Sequence, residues 1–151
     1  MTVIVPAILL GEYLKIRKIR NANFQKLTGT RRKIGLLEQI KFFLFKPKNF
    51  HVFVSFTDKK ISGYMLIKRT IVVSEGQFKS AAFITEVVDE KYRNKGIAKQ
   101  MIKESQEEYP VLIAEIWKDN IPSIRLHEKM GFKLTGENDN ILTYTWSHND
   151  N

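Results

Sequence analysis

Val87-Val88-Asp89-Glu90-Lys91-Tyr92-Arg93-Asn94-Lys95-Gly96-Ile97-Ala98 is the stretch whose reading decides the fold. An apolar run of strand character, residues 81–88, leads into it, and a helical pattern over 97–108 follows. The stretch therefore reads as a strand, a short basic loop with one glycine, and a helix. The first turn of a helix leaves N–H groups without intrahelical partners. The helix dipole and the cations Arg93 and Lys95 add positive potential at the same place. Such a loop suits a phosphate or diphosphate. Gly96 has no Cβ, so a bulky anion can approach its backbone, and Ala98 is nearly as small. Alone, the stretch also describes an ordinary strand-to-helix turn with solvated basic residues.

Length and composition narrow the choice. A chain of 151 residues suggests a single domain spanning 1–151, with enough mass for a real core. No apolar run approaches the 18 residues of a membrane span. The apolar start, Met1 to Leu10, has no basic residue before it, so a signal peptide is not expected. There is no cysteine, and His51, His127 and His148 are scattered, so no metal site is expected. The chain reads as cytoplasmic. Its formal charge is +9, and residues 12–48 hold eleven basic and two acidic residues. The remainder holds fourteen of each sign, so the whole excess sits in one segment. A solvated helix face would show the same excess, but its concentration favours a polyanion or a phosphorylated ligand.

Residues 3–10 read as an edge strand because Pro6 cannot donate to a ladder. Gly11 punctuates, and 12–24 has helical spacing in Tyr13, Ile16 and Ile19. A turn at 27–30 precedes a second helix over 32–45, ended by Pro47. Three strands joined by short turns, at 50–56, 63–73 and 81–88, form an antiparallel meander, with turns at 57–60 and 74–77. After the 97–108 helix, 111–117 is an apolar strand, and the crossover from Val88 permits a parallel pair. A short helix over 122–130 ends at Gly131, the strands 132–134 and 141–146 close the chain, and 147–151 is a polar tail.

This order of elements resembles the GCN5-related N-acetyltransferase (GNAT) fold. Arg93-Asn94-Lys95-Gly96-Ile97-Ala98 resembles that family's R/Q-x-x-G-x-G/A acyl-CoA loop. Asn120-Ile121-Pro122-Ser123-Ile124-Arg125-Leu126-His127-Glu128-Lys129-Met130-Gly131-Phe132 resembles its N-x-x-A/S-x-x-L-Y-x-K-x-G-F signature. The resemblance implies an α/β fold with one mixed, mostly antiparallel sheet of about six or seven strands. It also implies a central parallel pair splayed to admit acetyl-CoA, with helices on both faces. Backbone groups of Val87 and Val88 would pair with the pantetheine amides. The N–H groups from Arg93 to Ala98 would hold the diphosphate, and Asn120 and Ser123 would touch the CoA arm.

Direct transfer of an acetyl group to an amine needs a base, an oxyanion donor and an acid for the departing thiolate. The Val88 N–H is the expected oxyanion donor. Glu115, an acid in mid-strand, is the favoured base, as in the family branch that acetylates protein N-termini. Glu86, on the same strand face as Val88, is the second candidate. His127 stands where the family has a Tyr general acid, a departure that imidazole chemistry can accommodate. The segments Ile19-Arg20-Asn21-Ala22-Asn23 and Glu38-Gln39-Ile40-Lys41-Phe42-Phe43 resemble those of GNAT members that acetylate nucleotide-linked amino sugars. That points to Arg20, Asn21 and Phe42 as acceptor-binding residues and to an anionic small-molecule amine. The alternatives are an aminoacyl-tRNA or a protein or peptide amine. A non-catalytic GNAT-fold protein that binds CoA, or nucleic acid through the basic 12–48 region, also remains open, as does a homodimer. No membrane partner is expected.

Overall fold

A computed structural model describes residues 1–29, 31–74 and 76–148; Thr30 and Glu75, in two of the expected turns, and 149–151 of the tail lie outside the described residues. The elements in order are β1 (Thr2–Pro6), α1 (Leu10–Ala22), α2 (Leu36–Phe45), β2 (Phe50–Thr57), β3 (Lys60–Ser74), β4 (Gln77–Val88), α3 (Ile97–Glu108), β5 (Val111–Trp117), α4 (Ile121–Lys129), β6 (Lys133–Glu137) and β7 (Ile141–Ser147). One seven-stranded sheet runs β1-β2-β3-β4-β5-β7-β6. Every neighbouring pair is antiparallel except β4 and β5. Pro6 lies on the edge strand, as its missing N–H requires.

Period-two alternation divides the sheet's side chains between two cores. Met65, Ile67, Ala82, Ile84, Leu112, Ala114 and Ile116 meet Met101 and Ile102 of α3 and Phe132. Val52, Val54, Tyr64 and Val87 meet Tyr13, Ile16 and Ile19 of α1 on the other face. Each fully buried aliphatic side chain of this kind stabilises the fold by about 1.5–3 kcal/mol. Helices therefore cover both faces, as the family resemblance implied.

Three boundaries differ from the sequence reading, each for a local reason. Helix α1 begins at Leu10, so Gly11 lies inside its first turn; the Glu12 carboxylate accepts the Ile8 and Leu9 N–H groups at 2.7 and 2.8 Å. It ends where the Asn23 amide donates to the Ile19 carbonyl at 2.8 Å. Helix α2 starts at Leu36 rather than Arg32, because Ile34 is held outside it. Its N–H donates to Asn21 Oδ1 and its carbonyl accepts from Asn21 Nδ2 and Arg17 Nε. Strand β3, expected over 63–73, runs from Lys60 to Ser74, because its ends pair with Thr57 of β2 and Gln77 of β4.

Candidate active site

The parallel ladder between β4 and β5 holds only three register pairs, Ala81–Val111, Ala82–Leu112 and Phe83–Ile113. Beyond Phe83 the two strands part. On their outer sides they stay paired to the end, Val88 with Gly63 of β3 and Trp117 with Ile141 of β7. The parting thus leaves the facing backbone edges of 84–88 and 114–116 without a strand partner, which is a wedge ready for an extended ligand. A cleft of about 330 Å3 fills this wedge.

The basic loop closes one end of the cleft. Gly96 is the N-cap of α3 at φ +76°, and a Cβ there would meet nothing within 4 Å. The first helical bond runs from the Gln100 N–H to the Gly96 carbonyl, so the N–H groups of Ile97, Ala98 and Lys99 precede the ladder. Asn94 also has positive φ, 61°, which turns the loop tightly. Arg93, Asn94 and Ala98 line the cleft. The Ile97 side chain is buried in the core, and Lys95 lies over the Tyr92 ring at 5.3 Å. A diphosphate fits this donor set: N–H groups, the Arg93 guanidinium and no carboxylate among the loop residues that line the cleft. Asn120, the N-cap of α4, and Ser123 line the opposite wall.

Two carboxylates reach the cleft from opposite faces of the sheet. Glu115 alternates with the buried Ala114 and Ile116, so it points to the face that carries α1 and α2, and it is exposed. Glu86 shares the Ile84 face, toward α3 and α4, and its side chain is 7% exposed. Burial raises the Glu86 carboxyl above its ordinary range, and the nearby His127 partly offsets this. His127 is 1% exposed. Its Nδ1 donates to the Ser123 carbonyl at 2.9 Å, and its Nε2, with no hydrogen-bond partner among the described residues, lies 3.6 Å from Glu86 Oε1. The Phe132 ring packs edge-on against the imidazole at 4.9 Å. The structure therefore brings together Glu86, Val87, Val88, Arg93, Asn94, Ala98, Glu115, Asn120, Ser123 and His127 around one cleft.

A wall of the cleft came from an unexpected place, the connector after α1. Asn23, Lys26, Leu27 and Thr28 all line it. The Trp117 indole donates to the Leu27 carbonyl at 2.8 Å, and the Arg31 guanidinium lies 3.8 Å over the Trp117 ring and 3.2 Å from Asp119. Arg93 donates to Asn23 Oδ1 at 2.7 Å, tying the basic loop to the end of α1. Part of the N-terminal positive excess is thus spent on the protein itself. Arg17 and Arg20 bond connector carbonyls, and Arg32 bonds Glu38 at 2.7 Å.

On the α1–α2 face the cleft continues across the sheet. Thr85 and Glu115 also border a hollow of about 220 Å3 with Phe50, Lys68 and Phe83. The Lys68 ammonium lies 5.8 and 5.9 Å from the two phenyl rings. Leu66 links this hollow to a further pocket of about 300 Å3 that Arg20, Phe42, Gln39 and Tyr64 line. Gln39 is 3% exposed, and its side chain makes no hydrogen bond among the described residues. Burial pushes the Tyr64 hydroxyl far up, so it remains a donor. Arg20 and Phe42 therefore share a pocket, whereas Asn21 is committed to Ile34 and does not line it.

A splayed parallel pair with a diphosphate-suited helix N-terminus at its mouth defines a class, the acyl-CoA-dependent acyltransferases. The family model described as the Acetyltransferase (GNAT) family matches residues 14–132, and the chain belongs to that family. It is a GNAT-type acyltransferase, and acetyl-CoA is the co-substrate of this family. Solved structures share the fold. An N-acetyltransferase from Staphylococcus aureus Mu50 is 24% identical, with TM-score 0.76, covering 97% of this chain and 98% of that one. A ribosomal-protein-alanine N-acetyltransferase from Brucella melitensis is 21% identical, with TM-score 0.73 and coverage of 96% and 99%. The yncA protein from Salmonella typhimurium, solved with its cofactor acetyl-CoA, is 19% identical, with TM-score 0.70 and coverage of 97% and 93%. No curated protein matches in sequence. Among the described residues, no helix is long and apolar enough to cross a membrane.

Proposed function

We propose that this chain acts as one catalytic domain that moves the acetyl group of acetyl-CoA to a primary amine by direct attack. The observation that carries this is the wedge between β4 and β5, with Gly96 and the α3 N-terminus at one end and Glu115 and His127 on its two sides. Val87 and Val88 grip the pantetheine arm, the loop from Arg93 to Ala98 holds the diphosphate, and Asn120 and Ser123 steady the arm from α4. The amine arrives from the α1–α2 face. Glu115, solvent-facing there, takes its proton, and the nitrogen lone pair forms the new C–N bond. The Val88 N–H stabilises the oxyanion. Collapse breaks the C–S bond, and a proton from His127 leaves with the sulfur. Acetyl-CoA and amine thus become acetamide and free thiol. Glu115 returns its proton to water.

The acceptor proposed is a small amine with an anionic group. Lys68 and Arg20 sit along the groove that leads away from Glu115, and Gln39 and Tyr64 offer hydrogen bonds at its far end. A nucleotide-linked amino sugar satisfies that description. An acetyl-transfer screen of amino-sugar nucleotides, aminoacyl-tRNA and peptides tests it. The reading expects turnover with the first class at moderate salt, and about tenfold or greater loss in Glu115→Gln. Turnover only with tRNA or peptides rejects the acceptor class. Unchanged rates in Glu115→Gln reject the base.

A further inference from the structure

The cleft contains a buried charge problem that general acid chemistry alone does not explain. The Ser123 carbonyl can only accept, so the His127 Nδ1 contact at 2.9 Å fixes a proton on Nδ1. In a neutral ring Nε2 would then carry a lone pair. That lone pair would face Glu86 Oε1 at 3.6 Å, oxygen lone pair against nitrogen lone pair, at a site where both side chains are nearly sealed from water. Such an arrangement is repulsive unless a further proton sits between the two atoms. With that proton the pair is neutral overall in either form, imidazolium with carboxylate or imidazole with carboxylic acid. Neutrality is what burial demands.

We propose that Glu86 and His127 hold one proton jointly, and that Glu86 is a positioning residue which keeps His127 loaded to protonate the departing CoA sulfur. This rests on the acetyl-transfer reading and deepens it. Glu86 is then no rival to Glu115 as amine base, since the two open on opposite faces of the sheet. The step balances: the C–S bonding pair goes to sulfur, sulfur takes the Nε2 proton, and the pair regains a proton from water in the vacated cleft.

The surroundings favour joint holding. Met65 of β3 stands opposite Glu86 in register, and the face around them carries Ile84, Ala114, Ile116, Ile97 and Met101. On α4, the Glu128 carboxylate is engaged by the Tyr144 hydroxyl at 2.8 Å, away from the pair. Arg93 is turned to Asn23, Lys26 comes from the connector, and Glu115 lies across the sheet. The imidazole is fixed by its own helix at Nδ1 and by Phe132 at its edge. Among the described residues its Nε2 has no alternative partner.

Two measurements on the full chain test this. The first compares the His127 ring nitrogens by 15N NMR in the native and Glu86→Gln chains at one neutral pH, with no substrate present. The Nε2 resonance should move when the carboxyl that shares its proton is replaced, while Nδ1, held by the Ser123 carbonyl, should not. An unmoved Nε2 resonance overturns the pairing. If Glu86→Gln fails to fold, Glu86→Asp retracts the carboxyl by one methylene and should give a smaller movement of the same resonance. The second measures kcat against pH at saturating acetyl-CoA and amine. The falling alkaline limb should move down by about one pH unit or more in Glu86→Gln, while acetyl-CoA affinity changes less than about twofold. A moved resonance with an unmoved limb overturns the delivery role. A native chain with no acetyl transfer at all rejects the functional reading and the delivery step with it, while the Nε2 resonance still decides the pairing.

Discussion

Gly63 offers the sharpest test of how the sheet shapes the cleft. It pairs with Val88 across β3 and β4, beside the wedge. A Cβ added there would lie 2.7 Å from the Val87 carbonyl oxygen, 3.2 Å from Ser55 Oγ and 3.3 Å from the Val88 Cα. Two of these are backbone atoms that cannot rotate away. Real Cβ contacts do not fall below 3.0 Å, so Gly63→Ala must push Val87 and Val88 outward by several tenths of an ångström. Overpacking of this kind costs about 1–3 kcal/mol. At about 2–4 °C per kcal/mol for a chain of this size, the melting temperature should fall by about 2–12 °C. The displaced residues are those proposed to grip the pantetheine arm, so acetyl-CoA affinity should fall as well. Gly136→Ala is the control, because its new Cβ would meet only Thr143, at 3.4 Å. Thermal unfolding and calorimetry with acetyl-CoA read both effects. A Gly63→Ala protein that melts and binds like the native chain refutes the reasoning.

Two further perturbations address other parts of the site. Removing the Arg31 guanidinium from the Trp117 face in Arg31→Ala should cost about 0.5–1 kcal/mol, and hydrogen exchange of the 24–29 amides should quicken; unchanged exchange means the contact does not hold the connector. The Glu86 carboxyl is held above its ordinary 4.5, so the folded state binds the proton more tightly than the unfolded chain. Its contribution to stability is complete below pH 4.5 and is lost as pH rises through the folded value. The Glu86→Gln protein should therefore lose less stability than the native chain as pH rises, and parallel melting curves from pH 4 to 8 would count against a raised carboxyl.

The structure of residues 87–98 was legible in the sequence because its signals are local: the end of a strand, one glycine at positive φ and a helix start lie within twelve positions. The second signature at 120–132 was equally contiguous, and it placed Asn120, Ser123 and His127 in the cleft. The partnership of Glu86 with His127 was not legible, because 41 positions separate residues that meet only when α4 packs on β4. The connector wall was hidden for a related reason. The stretch Leu27-Thr28-Gly29 carries an ordinary turn signal, and its place is set by Trp117 and Arg93, far along the chain. Part of the basic excess also serves the fold, since Arg17 and Arg20 bond connector carbonyls and Arg32 pairs with Glu38, contacts that no local sequence signal announces.

The central claim is that the wedge holds acetyl-CoA with its diphosphate on the Arg93–Ala98 loop. Calorimetry comparing acetyl-CoA with acetyl-pantetheine, which lacks the diphosphate, tests it most directly. Charged hydrogen bonds of about 1.5–3 kcal/mol to the loop predict a one-to-one complex with acetyl-CoA and binding of acetyl-pantetheine about tenfold weaker or more. Equal affinity for the two ligands, or no binding of acetyl-CoA, contradicts the account.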